Sequence, residues 1–245
     1  MKRVMLVVAY DGSDCYGWQL QPGRRTVESE LNLALSELLK EEIQVTGASR
    51  TDSGVHALCN VAVFDTASRI PGEKFSYALN QRLPEDIRIQ SSREVAPDFH
   101  PRHCDSRKTY EYRILNREFP LPTKRLYAYF TYVPLDVEKM KQAAVYLVGE
   151  HDFASFCSAS SSASTTVRRI YELTVEKEGD EIVIRVCGNG FLYNMVRIIA
   201  GTLMEAGSGR RQPEEMAEIL AAKNRCAAGP TAPACGLTLV RYEFL

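Results

Sequence analysis

The chain opens on a run of apolar positions, and residues 3–10 (Arg3-Val4-Met5-Leu6-Val7-Val8-Ala9-Tyr10) predict a buried strand. Asp11, Gly12, Ser13 and Asp14 follow at once with no small-residue cleavage site, so this start reads as a strand and not as a signal peptide. The Gly-containing polar stretch 11–25 predicts a long loop. Thr26 is placed as a helix N-cap, with Glu28 and Glu30 in the first turn, where the helix dipole favours acids. Val27, Leu31, Ala34, Leu35 and Leu38 then recur at helical spacing. Strands are expected near 43–46 and 58–64, a short helix around 75–81 that stops before Pro84, and a strand near 86–92.

The second half repeats the rhythm. Tyr and Ile alternation makes 108–115 a strand, a loop interrupted by Pro120 and Pro122 follows, and 127–133 is a short strand. Asp136 caps a helix that carries Val137, Met140, Ala144 and Leu147 on one face and is closed by Gly149. The Ser-rich stretch 155–166 predicts a flexible loop, and 167–177 with 181–187 predicts a hairpin around Gly179-Asp180. Helices over 192–206 and 213–223 and a strand over 237–244 complete the chain. Strands grouped in hairpins between helices point to an α+β fold with a mostly antiparallel sheet. The pattern divides into two similar α/β halves, 1–100 and 101–245, with no linker to make them independent. A cleft between such halves is the natural place for a substrate.

Composition narrows the class. The 245 residues are 45% hydrophobic and 25% charged, a globular balance, and no apolar run approaches the roughly 20 residues that span a bilayer. A soluble cytoplasmic protein is expected. Seven cysteines are scattered singly with no C-x-x-C spacing, which argues against a structural zinc or redox motif and for free thiols. In His100-Pro101-Arg102-His103-Cys104, proline and arginine separate the potential ligands and no second half-site exists, so no metal is expected. A net charge of −1 is not the overall footprint of an RNA binder. Yet Arg102, Arg107, Lys108, Arg113, Arg117, Lys124 and Arg125 crowd one stretch, which fits either a basic cleft or a solvated strand.

The stretch with the most chemical content is Gly47-Ala48-Ser49-Arg50-Thr51-Asp52-Ser53-Gly54-Val55-His56-Ala57. Two glycines bracket small polar residues between two strands, so a sharp loop would present Arg50, Asp52 and His56 from a rigid base. Asp52 beside an arginine can stay ionised and act as nucleophile or general base. The alternative is an Asx-turn residue with Arg50 as its surface partner.

The run Arg50-Thr51-Asp52-Ser53-Gly54-Val55-His56-Ala57 resembles the catalytic loop of the TruA family of tRNA pseudouridine synthases. Further similarities fall in family order. They are Tyr10-Asp11-Gly12 with Gly17-Trp18-Gln19, Arg25-Thr26-Val27, and Phe99-His100 followed by Arg107-Lys108-Thr109-Tyr110-Glu111-Tyr112. Next come Gly149-Glu150-His151-Asp152-Phe153, Gly190-Phe191-Leu192-Tyr193-Asn194-Met195-Val196-Arg197, and Gly229-Pro230-Thr231-Ala232-Pro233-Ala234 with Gly236-Leu237.

The resemblance implies two halves whose sheets join into one antiparallel platform with a basic cleft between them, in a homodimer. It implies isomerisation of uridine to pseudouridine at positions 38, 39 and 40 of the tRNA anticodon stem-loop, with an extruded base and no cofactor or metal. Asp52 would be the essential carboxylate, either attacking ribose C1′ or removing the C2′ proton. Tyr110 would stack on the target uracil, Tyr112 would be core, and Arg197 would pair with Asp52. Arg50 would enter the RNA beside the target. His56 joins the substrate-binding set chiefly by fixing the loop, as Trp18 anchors its own. Arg107, Lys108, Arg168, Arg169 and Arg210-Arg211 are candidate phosphate contacts. The chain departs from the family pattern at Ser49, where Gly or Ala is more usual, at Asn60, where Gln is, and at Pro101 and Cys104. The Ser-rich 157–166 loop is expected to bear on which tRNAs are accepted.

Overall fold

The computed structural model describes residues 1–159 and 163–245, so the centre of the expected Ser-rich loop, 160–162, lies outside the described residues. In chain order the elements are β1 (Lys2–Tyr10), α1 (Val27–Leu39), β2 (Thr46–Gly47), β3 (His56–Thr66), α2 (Phe75–Asn80), β4 (Ile87–Val95), β5 (Ser106–Asn116) and β6 (Tyr129–Thr131). They continue with α3 (Val137–Val145), β7 (Gly149–Asp152), β8 (Val167–Glu178), β9 (Glu181–Gly188), α4 (Met195–Gly207), α5 (Glu215–Ala222) and β10 (Leu237–Phe244). The fold is α+β and mostly antiparallel; the parallel pairing of β6 on β5 makes it partly mixed.

The chain forms two compact units, Met1–Asp105 with Leu239–Leu245, and Ser106–Thr238. The sequence pattern draws a single division near residue 100; the last strand instead carries the chain back to the first unit. In that unit the strand order is β4-β1-β3-β10. Val4, Leu6, Val8 and Tyr10 of β1 lie across from Phe64, Ala62, Asn60 and Ala57 of β3. Phe64 meets Phe75 of α2 edge-on at 5.1 Å. On the other sheet face, Met5, Val61 and Val63 pack with Ala48, under Phe99, Tyr242 and Phe244.

The cap of α1 is stronger than the sequence pattern suggests. Thr26 Oγ1 accepts from Ser29 N while Ser29 Oγ accepts from Thr26 N, a reciprocal capping box. The strand expected over 43–46 is reduced to Thr46–Gly47. The amides of Ile43 and Val45 are taken by Ser36 Oγ and Asn32 Oδ1 of α1, so they cannot join a ladder.

In the second unit the order is β5-β9-β8-β7. Tyr110, Tyr112 and Ile114 oppose Val186, Ile184 and Ile182 on one face. Helix α3 ends at Val145, short of Gly149, which at φ +112° begins β7 instead of closing the helix. β7 exists because residues 149–152 pair with Val167–Ile170 of β8, a long-range contact that no local apolar alternation announces. Helix α4 starts at Met195, three residues later than its apolar run, because Asn194 adopts the left-handed conformation that asparagine tolerates. No helix among the described residues is long and apolar enough to cross a membrane.

Candidate active site

The loop between β2 and β3 is a turn fixed from several sides. Val55 N donates to Asp52 O at 3.1 Å, and Gly54 sits at φ +78°, the third position of a β-turn where glycine carries no Cβ penalty. Asp52 is half-buried on this turn, between buried Thr51 and exposed Ser53, with Val55 and His56 buried behind it. The loop 11–25 forms its bed. Cys15 O accepts from Gly54 N and Ser53 Oγ, and Trp18 N donates to Thr51 O at 3.0 Å. The two backbones approach so closely that a Cβ on Gly12 would stand 2.0 Å from Val55 O, and one on Gly17 2.6 Å from Thr51 O. The bed itself is tied down by Arg25, whose guanidinium makes two hydrogen bonds to Asp86 at 2.7 and 2.8 Å.

His56 is 3% exposed, and its Nδ1 accepts from Gly12 N at 3.1 Å, so it joins the two loops. Asp11 Oδ1 lies 3.1 Å from the same nitrogen. Arg50 is exposed. Close to it, Arg102 donates through Nε to Gly47 O at 2.7 Å. Burial, and then the positive charge of Arg50, hold the Arg102 guanidinium below its usual pKa. Arg50 and Arg102 therefore bring two cations to the β2–β3 loop, an arrangement that attracts an anionic polymer.

The remaining sequence-derived residues belong to the second unit. Tyr110 is 8% exposed and meets Phe191 edge-to-face at 5.2 Å. Tyr112 is fully buried and donates to Pro233 O at 2.8 Å, a core tyrosine whose phenol burial pushes up in pKa. Arg197, in the first turn of α4, donates through Nε to Ala232 O at 2.7 Å and through Nη1 to Asn194 Oδ1 at 2.8 Å. Ala232 N in turn donates to Arg197 O. This clasp requires Gly201, because a Cβ there would lie 1.8 Å from Pro230 O. Lys108 pairs across from Gly188, and Gly188 from Ile170, so Arg107, Lys108, Arg168 and Arg169 collect at one end of the β5-β9-β8 sheet. Arg107 rests over the Tyr171 ring at 4.7 Å, and Arg168 donates to Thr165 O. Arg211 is engaged with Glu205 and Glu215, which removes it from the better phosphate candidates.

Tyr10 and Asn60 lie outside the sequence-derived set, yet both reach the interior of the Asp52 loop. The signal in the chain was faint: one amide inside the otherwise apolar run Ala57-Leu58-Cys59-Asn60-Val61-Ala62-Val63-Phe64. Among the described residues, no group of three or more His, Cys, Asp or Glu could hold a metal ion.

A family model described as tRNA pseudouridine synthase matches residues 6–103 and 143–244. Among curated proteins, tRNA pseudouridine synthase A of Brevibacillus brevis is 52% identical over 239 residues, 98% of each chain. That of Acetivibrio thermocellus is 48% identical over 244 residues, all of both chains. A chain in the solved structure of a Cbf5-Nop10-Gar1 complex aligns over 96% of this chain and 57% of its own at 14% identity, with a TM-score of 0.35, too low to carry an argument.

Proposed function

Because the chain belongs to the tRNA pseudouridine synthase family, and is thus an isomerase acting on uridine in tRNA, we propose that its targets are positions 38, 39 and 40 of the anticodon stem-loop and that Asp52 is its essential carboxylate. In this isomerisation the N1–C1′ bond breaks, the base turns, and C5 bonds to C1′. The C5 proton leaves, and N1 ends with a proton. Asp52 serves either by attacking C1′ or by removing the C2′ proton, and both routes begin from an ionised carboxylate. The observation that carries the reading is the Asp52–Val55 turn, which holds one half-buried carboxylate on a bed of backbone contacts, in a loop that also carries Arg50 and binds Arg102 at Gly47 O.

Arg197 pairs with Asp52 in this reading. Support comes from the family resemblance and from its two anchors, Ala232 O and Asn194 Oδ1, which fix the direction of the guanidinium. Tyr110 stacks on the uracil, and its fixed angle to Phe191 supplies the preorganisation a stacking ring needs. Arg50 keeps the base extruded. Arg107, Lys108 and Arg168 contact phosphates, so tRNA affinity falls as salt rises. The homodimer and the cytoplasmic location belong to the same reading, and an active monomer in light scattering would overturn the former.

The test is tritium release from tRNA labelled at uridine C5, with wild type and Asp52→Asn compared and the product nucleotide mapped. Asp52→Asn is expected to lose about 10²–10⁴-fold or more in rate while still binding tRNA. Release by the variant at the wild-type rate removes Asp52 from the chemistry. Pseudouridine outside the anticodon stem-loop overturns the choice of target.

A further inference from the structure

We propose that Tyr10 and Asn60 are positioning residues for Asp52, acting through a buried chain of neutral hydrogen bonds that ends on Thr51. The inference rests on the assignment of Asp52 as the essential carboxylate.

The geometry begins with an irregularity in the sheet. Val8 pairs with Asn60, but Tyr10 pairs with Ala57, so β3 carries one extra residue at Leu58-Cys59. Leu58 is exposed and Cys59 partly so, while Asn60 turns fully inward. A bulge of this kind re-aims a side chain next to a site. The Asn60 amide then uses its full hydrogen-bonding capacity. Oδ1 accepts from Ser49 N at 3.2 Å and from Val61 N at 2.9 Å. Nδ2 donates to Ser49 O at 2.9 Å and to Tyr10 OH at 3.2 Å. Two backbone N–H groups on Oδ1 settle which end of the amide is oxygen. In effect Asn60 serves Ser49 as a strand partner where the loop has left the ladder.

Tyr10 carries the chain onward. It is 5% exposed, its ring lies 6.0 Å from that of Trp18, and its hydroxyl is 2.7 Å from Thr51 Oγ1. That hydroxyl also accepts from Asn60, and between it and Thr51 Oγ1 either oxygen can supply the proton. Burial raises the Tyr10 pKa far above the usual phenol value, so the phenol keeps its proton and the chain stays neutral at any physiological pH. Thr51 O is held independently by Trp18 N. Ser49 and Thr51 are thus clamped on either side of exposed Arg50, and Asp52 is the next residue out. In a desolvated site such bonds are stiff and directional, and a small displacement of a reacting group is costly in rate.

Tyr10→Phe deletes only the hydroxyl and leaves the ring against Trp18. It is expected to lower kcat for tritium release about tenfold, with KM for tRNA within about twofold. Thr51→Val cuts the same bond from the other end and should give the same loss. The double variant should be no worse than either single one, as expected for a shared interaction. The stability control is Ser155→Ala in the second unit, which deletes a buried hydroxyl bonded to Ile219 O and Asn224 N. It should lower Tm by a comparable amount, about 2–4 °C, and leave kcat unchanged. Wild-type kcat in Tyr10→Phe and Thr51→Val, with Asp52→Asn inactive, overturns the positioning role alone. Loss of kcat that merely tracks Tm, as Ser155→Ala would then also show, overturns it too. An active Asp52→Asn would remove the premise instead.

Discussion

The Asp52 loop of the first unit and the face of β5 and β9 in the second are both dense in polar groups, but they are held by different means. The ties at the Asp52 turn are neutral: the Asn60 amide, the Tyr10 and Thr51 hydroxyls, and backbone groups of Cys15 and Trp18, with charge entering only further out, at Arg102 on Gly47 O and at the Arg25–Asp86 pair under the 11–25 loop. On the sheet face the ties are ionic. Glu111 accepts from Arg185 Nε and Nη2 at 3.0 and 2.6 Å and from Arg113 Nη2 at 3.0 Å. Arg113 also reaches Glu181, which Lys124 holds at 2.7 Å. Neutral bonds keep their strength across pH and salt, and they leave the charge of a nearby carboxylate to be set by the groups it must react beside. An ion network fixes strands equally well but adds charges whose effect extends beyond the contact. The molecule uses the ionic device across a sheet face, and around Asp52 keeps it to the margins, at Arg25–Asp86 and Arg102.

The largest expected effect comes from disturbing the neutral bed. In Gly12→Ala the new Cβ would meet Val55 O at 2.0 Å and Val55 C at 2.6 Å, both backbone, so the turn that carries Asp52 must move. Tritium release should fall by about 10²-fold, the usual result of a displacement near 1 Å, with a stability loss of about 1–3 kcal/mol. Near-normal activity would show that the bed does not set the loop, and the contrast with the second unit would lose its meaning.

A smaller effect, of a different kind, is expected from Glu111→Gln. Burial raises the Glu111 pKa, but the hydrogen bonds from Arg185 and Arg113 outweigh it and the carboxyl sits below its usual value. A depressed folded pKa contributes stability that is present above the unfolded value, near 4.3, and is lost as pH falls through the folded value. Because the arginine partners are 35% and 39% exposed, screening holds the cost of the substitution to about 1–2 kcal/mol at neutral pH. Chemical denaturation should show that difference shrinking below about pH 4 while activity at neutral pH stays within about twofold. A difference that is flat with pH would mean that the network does not act through charge.

Much of this contrast could be anticipated from the chain, and the exceptions share one cause. The last strand, the Gly179-Asp180 hairpin, the Thr26 cap and the Gly-bracketed Asp52 loop all have local signatures of period, turn chemistry or motif. β7 has none, because Gly149-Glu150-His151-Asp152 becomes a strand only by pairing with β8. Residues 43–45 look like a strand until α1 side chains take their amides. The same limit explains the site. Asp52, Arg50 and His56 fall within one motif, whereas Tyr10 and Asn60 stand 50 positions apart and meet only through a bulge whose register no pattern encodes.

Ser49 offers the finest test of the neutral bed, and the expected effect has the opposite sign. Its backbone N and O are both bonded to Asn60, but its Oγ is buried with no hydrogen-bond partner among the described residues. A buried hydroxyl without a partner is a net cost, and the resemblance places Gly or Ala more often at this position. Ser49→Ala keeps the backbone clamp and the Cβ while deleting the orphaned oxygen. It should raise stability slightly, by about 0.5–1 kcal/mol, and leave kcat within about twofold. Destabilisation by about 1 kcal/mol or more would show that the hydroxyl is satisfied in solution by an ordered water, which would make that water a member of the network. If kcat also fell, the clamp on Asp52 would run through the Ser49 side chain as well as its backbone.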